Sequence, residues 1–145
     1  MHPYPHVYKV SVAAPAEGEV TLRGTDLPDM PLMAPPEFDG PPGYWSPETL
    51  LAGAIASCFI LSFRAIARAS KLEWTHLSAD VDGVLERVEG VTRFTRITVR
   101  GRLIVPAGVD ETRARTLMEK AEKVCLVSNS LNAERHLEAE VVTTA

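Results

Sequence analysis

Cys58 and Cys125 are the only two cysteines in the chain, and each lies in an apolar, largely uncharged stretch. In a reducing compartment a pair of buried thiols either fills space or does redox chemistry. The redox option is concrete. A thiolate attacks the distal oxygen of a peroxide, releases the alcohol and is left as a sulfenic acid, which a second thiol condenses with to give a disulfide. A lone buried cysteine is ordinarily inert packing, but the sequence around these two favours redox chemistry. His6, His76 and His136 lie far apart with no ligand spacing, so neither a metal nor another cofactor is expected.

Composition bounds the setting of that chemistry. The chain has 145 residues, 46% of them apolar, enough for one core, and a single domain over residues 1–145 is expected. A formal charge of −4 with scattered basic residues leaves no electrostatic footprint for a polyanion, so nucleic acid is not an expected partner. The start, Met1-His2-Pro3-Tyr4-Pro5-His6, has neither the basic nor the apolar run of a secretion signal, and a soluble cytoplasmic protein is expected.

The elements that must position the thiols follow from periodicity. Val7 to Ala13 alternates, with Tyr8, Val10 and Val12 on one dry face, and Pro15-Ala16-Glu17-Gly18 turns it into a second strand over Glu19 to Thr25. Asp26 to Ser46 is rich in proline and glycine, which predicts a long loop with no regular element. Its Met30, Met33, Phe38, Tyr44 and Trp45 need an apolar surface to cover, which argues against disorder.

Ser46-Pro47-Glu48 reads as a helix start, with Ser46 as N-cap, Pro47 at the first position and Glu48 in the first turn, and the helix should reach about Ser70. Thr49 to Phe63 carries no charge on any face. That run is shorter than the roughly 18 apolar residues of a membrane span, so a buried central helix is expected and a membrane is not. Strands follow over Thr75 to Val88 and Thr92 to Val105, turned at Glu89-Gly90 and broken by a bulge near Arg100-Gly101. Asp110 caps an amphipathic helix that carries Cys125 at its end, and Leu137, Ala139 and Val141 alternate in a terminal strand.

This order predicts an α+β fold with antiparallel pairing. One sheet covers only one side of a helix, so the charge-free helix predicts a homodimer, two central helices sandwiched between two sheets.

Ser46-Pro47-Glu48 with Leu50-Leu51-Ala52, Ala56-Ser57-Cys58-Phe59, Ala121-Glu122-Lys123-Val124-Cys125 and Val127-Ser128-Asn129 together resemble the OsmC/Ohr family of organic hydroperoxide reductases, over about residues 6 to 144. The resemblance implies a swapped α+β homodimer with antiparallel sheets wrapped around buried central helices, and active sites at the subunit interface. It implies Cys58 as the peroxidatic and Cys125 as the resolving cysteine, a disulfide between them, and recycling by a dithiol such as a lipoyl group. It also implies an activating arginine held by the helix-start glutamate, for which Arg23 and Glu48 are the candidates. Cys58 lies about three turns into its helix, where the dipole helps little, so a cationic group is expected to reach it. Glu48 and Cys58 are ten residues apart, roughly 15 Å along a straight helix, so a bridging arginine or the partner subunit is required if both serve one site.

Met33, Phe38, Tyr44 and Trp45 are candidate substrate-binding residues, an apolar entrance favouring organic hydroperoxides over hydrogen peroxide. Leu126 departs from the proline that hydroperoxide reductases of this family often carry after the second cysteine, and the Pro35-Pro36-Glu37-Phe38 loop differs as well. The alternative function is a non-catalytic dimer that binds a hydrophobic ligand or senses redox state through the same thiols.

Overall fold

Alternation in the first segment does produce strands. In the computed structural model, which describes residues Met1–Ala145, β1 (Val10–Ala13) and β2 (Val20–Gly24) form an antiparallel hairpin whose turn contains Gly18 at φ 101°. The dry face expected of β1 is not covered within this chain, since Val10 and Val12 are 66% and 56% exposed. The proline-rich stretch contains more order than its composition predicts. β3 (Met30–Leu32) pairs antiparallel with β2, and Pro36–Phe38 forms a single 3-10 turn. Proline is tolerated in β3 because the strand is at the edge of its sheet, where a missing N–H disrupts no ladder.

The chain divides into two compact units, Met1–Leu50 and Leu51–Ala145. α1 (Pro47–Ala69) runs across that boundary. Its start is a reciprocal cap: the Thr49 N–H donates to Ser46 Oγ at 3.2 Å and the Ser46 N–H donates to Thr49 Oγ1 at 2.9 Å. Its end is closed by Lys71 in the left-handed region at φ 54°, with the Leu72 N–H reaching back to the Ala67 carbonyl at 3.0 Å.

In the second unit β4 (His76–Val88) and β5 (Val91–Val105) form a long antiparallel hairpin through Glu89 and Gly90, both at positive φ. α2 (Glu111–Val124) is capped by Asp110, whose carboxylate accepts the N–H groups of Thr112 and Arg113. α3 (Leu126–Asn129) follows without a break beyond Cys125, and β6 (Glu134–Thr143) completes a sheet of order β4-β5-β6.

Two expectations are corrected here. β6 pairs parallel to β5, because the α2–α3 crossover returns the chain to the end of the sheet where β5 began. The bulge falls between Val84 and Leu85, opposite Thr95, and not at Arg100-Gly101. Gly101 has a different reason: a Cβ there would meet Met118 Cε at 2.8 Å and the Phe59 ring at 3.2 Å, so the glycine lets helices pack close to the sheet.

The core is built on one stripe of α1. Ile55, Phe59, Phe63 and Ala67, four residues apart, are buried with Ile97, Val99, Leu103 and Val105 of β5 and with Ala114, Leu117, Met118 and Ala121 of α2. By length and composition α1 could cross a bilayer, with mean hydropathy 2.0 over its most apolar window. Its packing in this cluster makes it a core helix, but one covered on a single face: Gly53, Ser57, Leu61 and Ala65 remain exposed. The wrapping on all sides that its composition predicts is not supplied by this chain alone.

Candidate active site

Cys58 lies on α1 one residue before the buried Phe59, so its side chain sits at the edge of the core and is half-buried. Cys125 is both the last cap of α2 and the first of α3, with ψ 106° separating two helical stretches, and it is 1% exposed. The fold brings the two free thiols close enough for each to bear on the other's ionisation. Around Cys58 are the backbone N–H groups of Val127 and Leu126, from the first turn of α3, and the Ser62 hydroxyl 4.0 Å from its sulfur, one turn along α1.

These surroundings push the two thiols apart in acidity. Burial raises Cys58, but the donors from Val127, the Cys125 thiol, Ser62 and Leu126 outweigh it, so Cys58 lies below the ordinary thiol value. Burial also raises Cys125; hydrogen bonds from the hydroxyl and N–H of Ser128 offset part of this, the neighbouring Cys58 adds to it, and Cys125 ends above the ordinary value. Cys58 is therefore the thiol that ionises first, and Cys125 the one that keeps its proton. The groups that lower Cys58 are peptide N–H groups at a helix start, a thiol and a hydroxyl, and not the cation that sequence reasoning expects. Ser62, Leu126, Val127 and the thiol-binding role of Ser128 were not anticipated. The available signal was the Cys125-Leu126-Val127-Ser128 run itself, in which a cysteine precedes a short helix and so sits beside its free N–H groups.

Within Met1–Leu50 a cavity of about 280 Å³ is lined by Val20, Leu32, Met33, Pro35, Phe38 and Glu48, among others. It gathers Met33, Phe38 and Glu48 of the candidate residues. Glu48 Oε2 is buried there with no hydrogen-bond partner, an unusual state for a carboxylate oxygen. Arg23 is not at that carboxylate: its Nε pairs with Asp29 Oδ2 at 3.1 Å, and both side chains are 58% exposed. Tyr44 donates from its hydroxyl to Glu19 Oε1 at 2.7 Å, a bond that holds the phenol above its ordinary pKa. Trp45 is 55% exposed, and its carbonyl accepts the Met33 N–H at 3.2 Å. Neither Tyr44 nor Trp45 lines the cavity. Gly40 closes the loop that shapes it, since a Cβ there would lie 1.7 Å from the Ala34 carbonyl oxygen.

The chain is also similar to known proteins. Residues 40–140 match the family described as OsmC-like protein. The chain is 32% identical over 112 residues to the uncharacterised protein YmaD of Bacillus subtilis, covering 74% of this chain and 75% of that one. It is 35% identical over 104 residues to the organic hydroperoxide resistance protein of Xanthomonas axonopodis pv. citri, 70% of each chain, and 26% identical over 125 residues to peroxiredoxin OsmC of Escherichia coli, 86% of each. An OsmC-like protein of unknown function from Vibrio cholerae shares the fold with a TM-score of 0.83 at 18% identity, over 93% of this chain and 99% of that one. With residues 40–140 matching the family model and two relatives more than 30% identical over 70% or more of the chain, the chain belongs to the OsmC-like family.

Proposed function

We propose that this protein is a cytoplasmic, homodimeric thiol peroxidase that reduces organic hydroperoxides to alcohols. The observation that carries the reading is the facing thiol pair with opposed acidities, Cys58 lowered and Cys125 raised. The Cys58 thiolate attacks the distal peroxide oxygen, the O–O bond breaks, and the alkoxide leaves as the alcohol after taking a proton. Cys58 is now a sulfenic acid. Cys125 sulfur then attacks Cys58 sulfur, the S–O bond breaks, and water departs with the Cys125 proton. A dithiol, such as a lipoyl group, reduces the disulfide by two exchanges and is itself oxidised. The relatives named peroxiredoxin and organic hydroperoxide resistance protein support the same class of chemistry.

Glu48 is the proposed anchor for an activating arginine, supported by its unpartnered Oε2 in the apolar cavity. Arg23 is the proposed arginine; it serves only if it leaves Asp29. Met33 and Phe38, with Tyr44 and Trp45 beside them in sequence, form the proposed binding surface for a bulky apolar peroxide. The homodimer is supported by the uncovered faces of β1 and α1, where Val10, Val12 and Leu61 are all more than half exposed.

Stopped-flow oxidation of the reduced protein by cumene hydroperoxide and by hydrogen peroxide tests the reading. Fast loss of the organic peroxide, absent in Cys58→Ser and leaving a trapped sulfenic acid in Cys125→Ser, is the expected result. A wild-type rate no greater than that of a free thiol would refute it.

A further inference from the structure

The joint that carries Cys125 is gripped from outside the thiol pair by one side chain. Arg135, near the start of β6, donates from Nε to Glu122 Oε1 at 2.8 Å, from Nη2 to the Glu122 carbonyl at 2.5 Å and from Nη1 to Asn129 Oδ1 at 2.6 Å. Its ion pair is the best shielded in the chain, with side chains 25% and 16% exposed, whereas every other pair has a partner at 58% or more. Exposed pairs contribute little; a shielded one made through three charge-assisted bonds holds geometry.

The acceptors straddle the joint. Glu122 is in the last turn of α2, and its carbonyl also accepts the Cys125 N–H at 3.2 Å. Asn129 is the last residue of α3. Because Cys125 breaks the helical backbone between them, no continuous ladder of helix hydrogen bonds fixes the angle from α2 to α3. A planar guanidinium with donors in fixed directions is suited to set it. A cation needed only to complement the end of α2 would have no reason to reach Asn129, and Lys123 already occupies that last turn.

We propose that Arg135 is a positioning residue for the thiol pair: by tying Glu122 to Asn129 it fixes the joint that presents Cys125 sulfur and aims the Leu126 and Val127 N–H groups at Cys58. Its importance to turnover rests on the peroxidase reading above; its effect on Cys58 can be measured without any peroxide. A loose joint leaves Cys58 with poorer donors, and it brings Cys125 less often to the approach from which the sulfurs close to the ~2.05 Å of a disulfide.

The test is the rate of Cys58 alkylation by iodoacetamide, followed by peptide mass spectrometry against pH, in the reduced full chain as wild type, Arg135→Gln and Arg135→Lys, with circular dichroism to verify the fold. The charged and ionisable groups at the joint are Glu122, Lys123, Arg135, Cys58 and Cys125, and the labelled Cys58 peptide reads the thiol itself. Arg135→Gln is expected to slow alkylation near neutral pH by about three- to tenfold and to move the profile to higher pH. Arg135→Lys keeps the charge but cannot span both acceptors, and recovers only a minor part of the loss. A wild-type profile in Arg135→Gln overturns the proposal, and so does full recovery in Arg135→Lys, which would reduce the effect to charge alone. If Arg135→Gln does not fold, Asn129→Ala removes one arm of the clamp and carries the same test, with a smaller alkaline shift expected and an unchanged profile counting against the role. If wild type ignores hydroperoxides while Arg135→Gln still shifts the profile, the peroxidase reading fails and the positioning role stands.

Discussion

The two units of the chain solve the burial problem differently. Leu51–Ala145 closes a core of its own, with Ile55, Phe59, Phe63, Leu103 and Met118 at 1% exposure or less. Met1–Leu50 buries Leu32, Pro35 and Ser46 and leaves every residue of β1 exposed. The redox pair belongs to the first kind of region and the Glu48 cavity to the second. Thiol chemistry needs sulfurs and donors held within tenths of an ångström, which a packed core supplies. A three-stranded sheet with an apolar uncovered face can recruit its cover from elsewhere, which is the part the proposed homodimer assigns to a second copy.

If the chemistry resides in the packed region, Cys58→Ser should produce the largest effect, a loss of organic-peroxide reduction of at least about a thousandfold in stopped-flow assays, with the melting transition close to wild type. Retained activity would break the comparison at once. Next comes packing itself. Phe63→Ala, at a site with no exposure and an edge contact to Trp74, should cost about 3–5 kcal/mol in denaturant unfolding. Val12→Ala in β1 should cost under about 0.5 kcal/mol if that face meets only water. A larger cost for Val12→Ala that grows with protein concentration would show that a second copy covers β1, which sharpens the contrast by naming the cover.

Which parts were legible in the sequence follows the same division. The helix over Pro47–Ala69, the hairpin at Glu89-Gly90 and the capping of α2 by Asp110 were readable because local signals and burial agree there. The bulge was misread although its signal was present: Phe94 and Ile97 both sit on the inner side three residues apart, which period-two alternation forbids unless a residue is inserted between them. β3 was missed because proline argues against a strand unless the strand is known to be an edge, and edges are set by tertiary order. Cys58 and Cys125 were legible as a pair, whereas Arg135, Glu122 and Asn129 were not. A clamp between residues 13 and 6 apart, made from β6 back onto α2 and α3, leaves no periodic trace.

In the less covered region, Glu48→Gln keeps the shape of the carboxylate and removes its charge. If Glu48 anchors an activating cation, kcat/KM for cumene hydroperoxide should fall by about 10- to 100-fold. Cys58 alkylation should stay at the wild-type rate, since the donors to that sulfur come from Leu126, Val127, Ser62 and Cys125. A parallel fall in both rates would mean that the two regions share one electrostatic site, and the division argued above would dissolve.

The smallest loss of reactivity should come from trimming the thiol pair itself. Cys125→Ala takes one donor from Cys58 and leaves the backbone N–H groups of Val127 and Leu126 and the Ser62 hydroxyl in place. The Cys58 pKa, held below the ordinary thiol value in wild type, should therefore rise towards it. The thiolate fraction falls at every pH below the new value and by a constant factor below both, so alkylation near neutral pH should slow by less than about tenfold. Above both values Cys58 is fully ionised in either protein, and the two rates should converge. Convergence at alkaline pH assigns Cys125 an effect on ionisation through its S–H donor; a deficit that persists there would mean that the buried thiol shapes access to Cys58, and that the packed region owes its reactivity to geometry more than to hydrogen bonding.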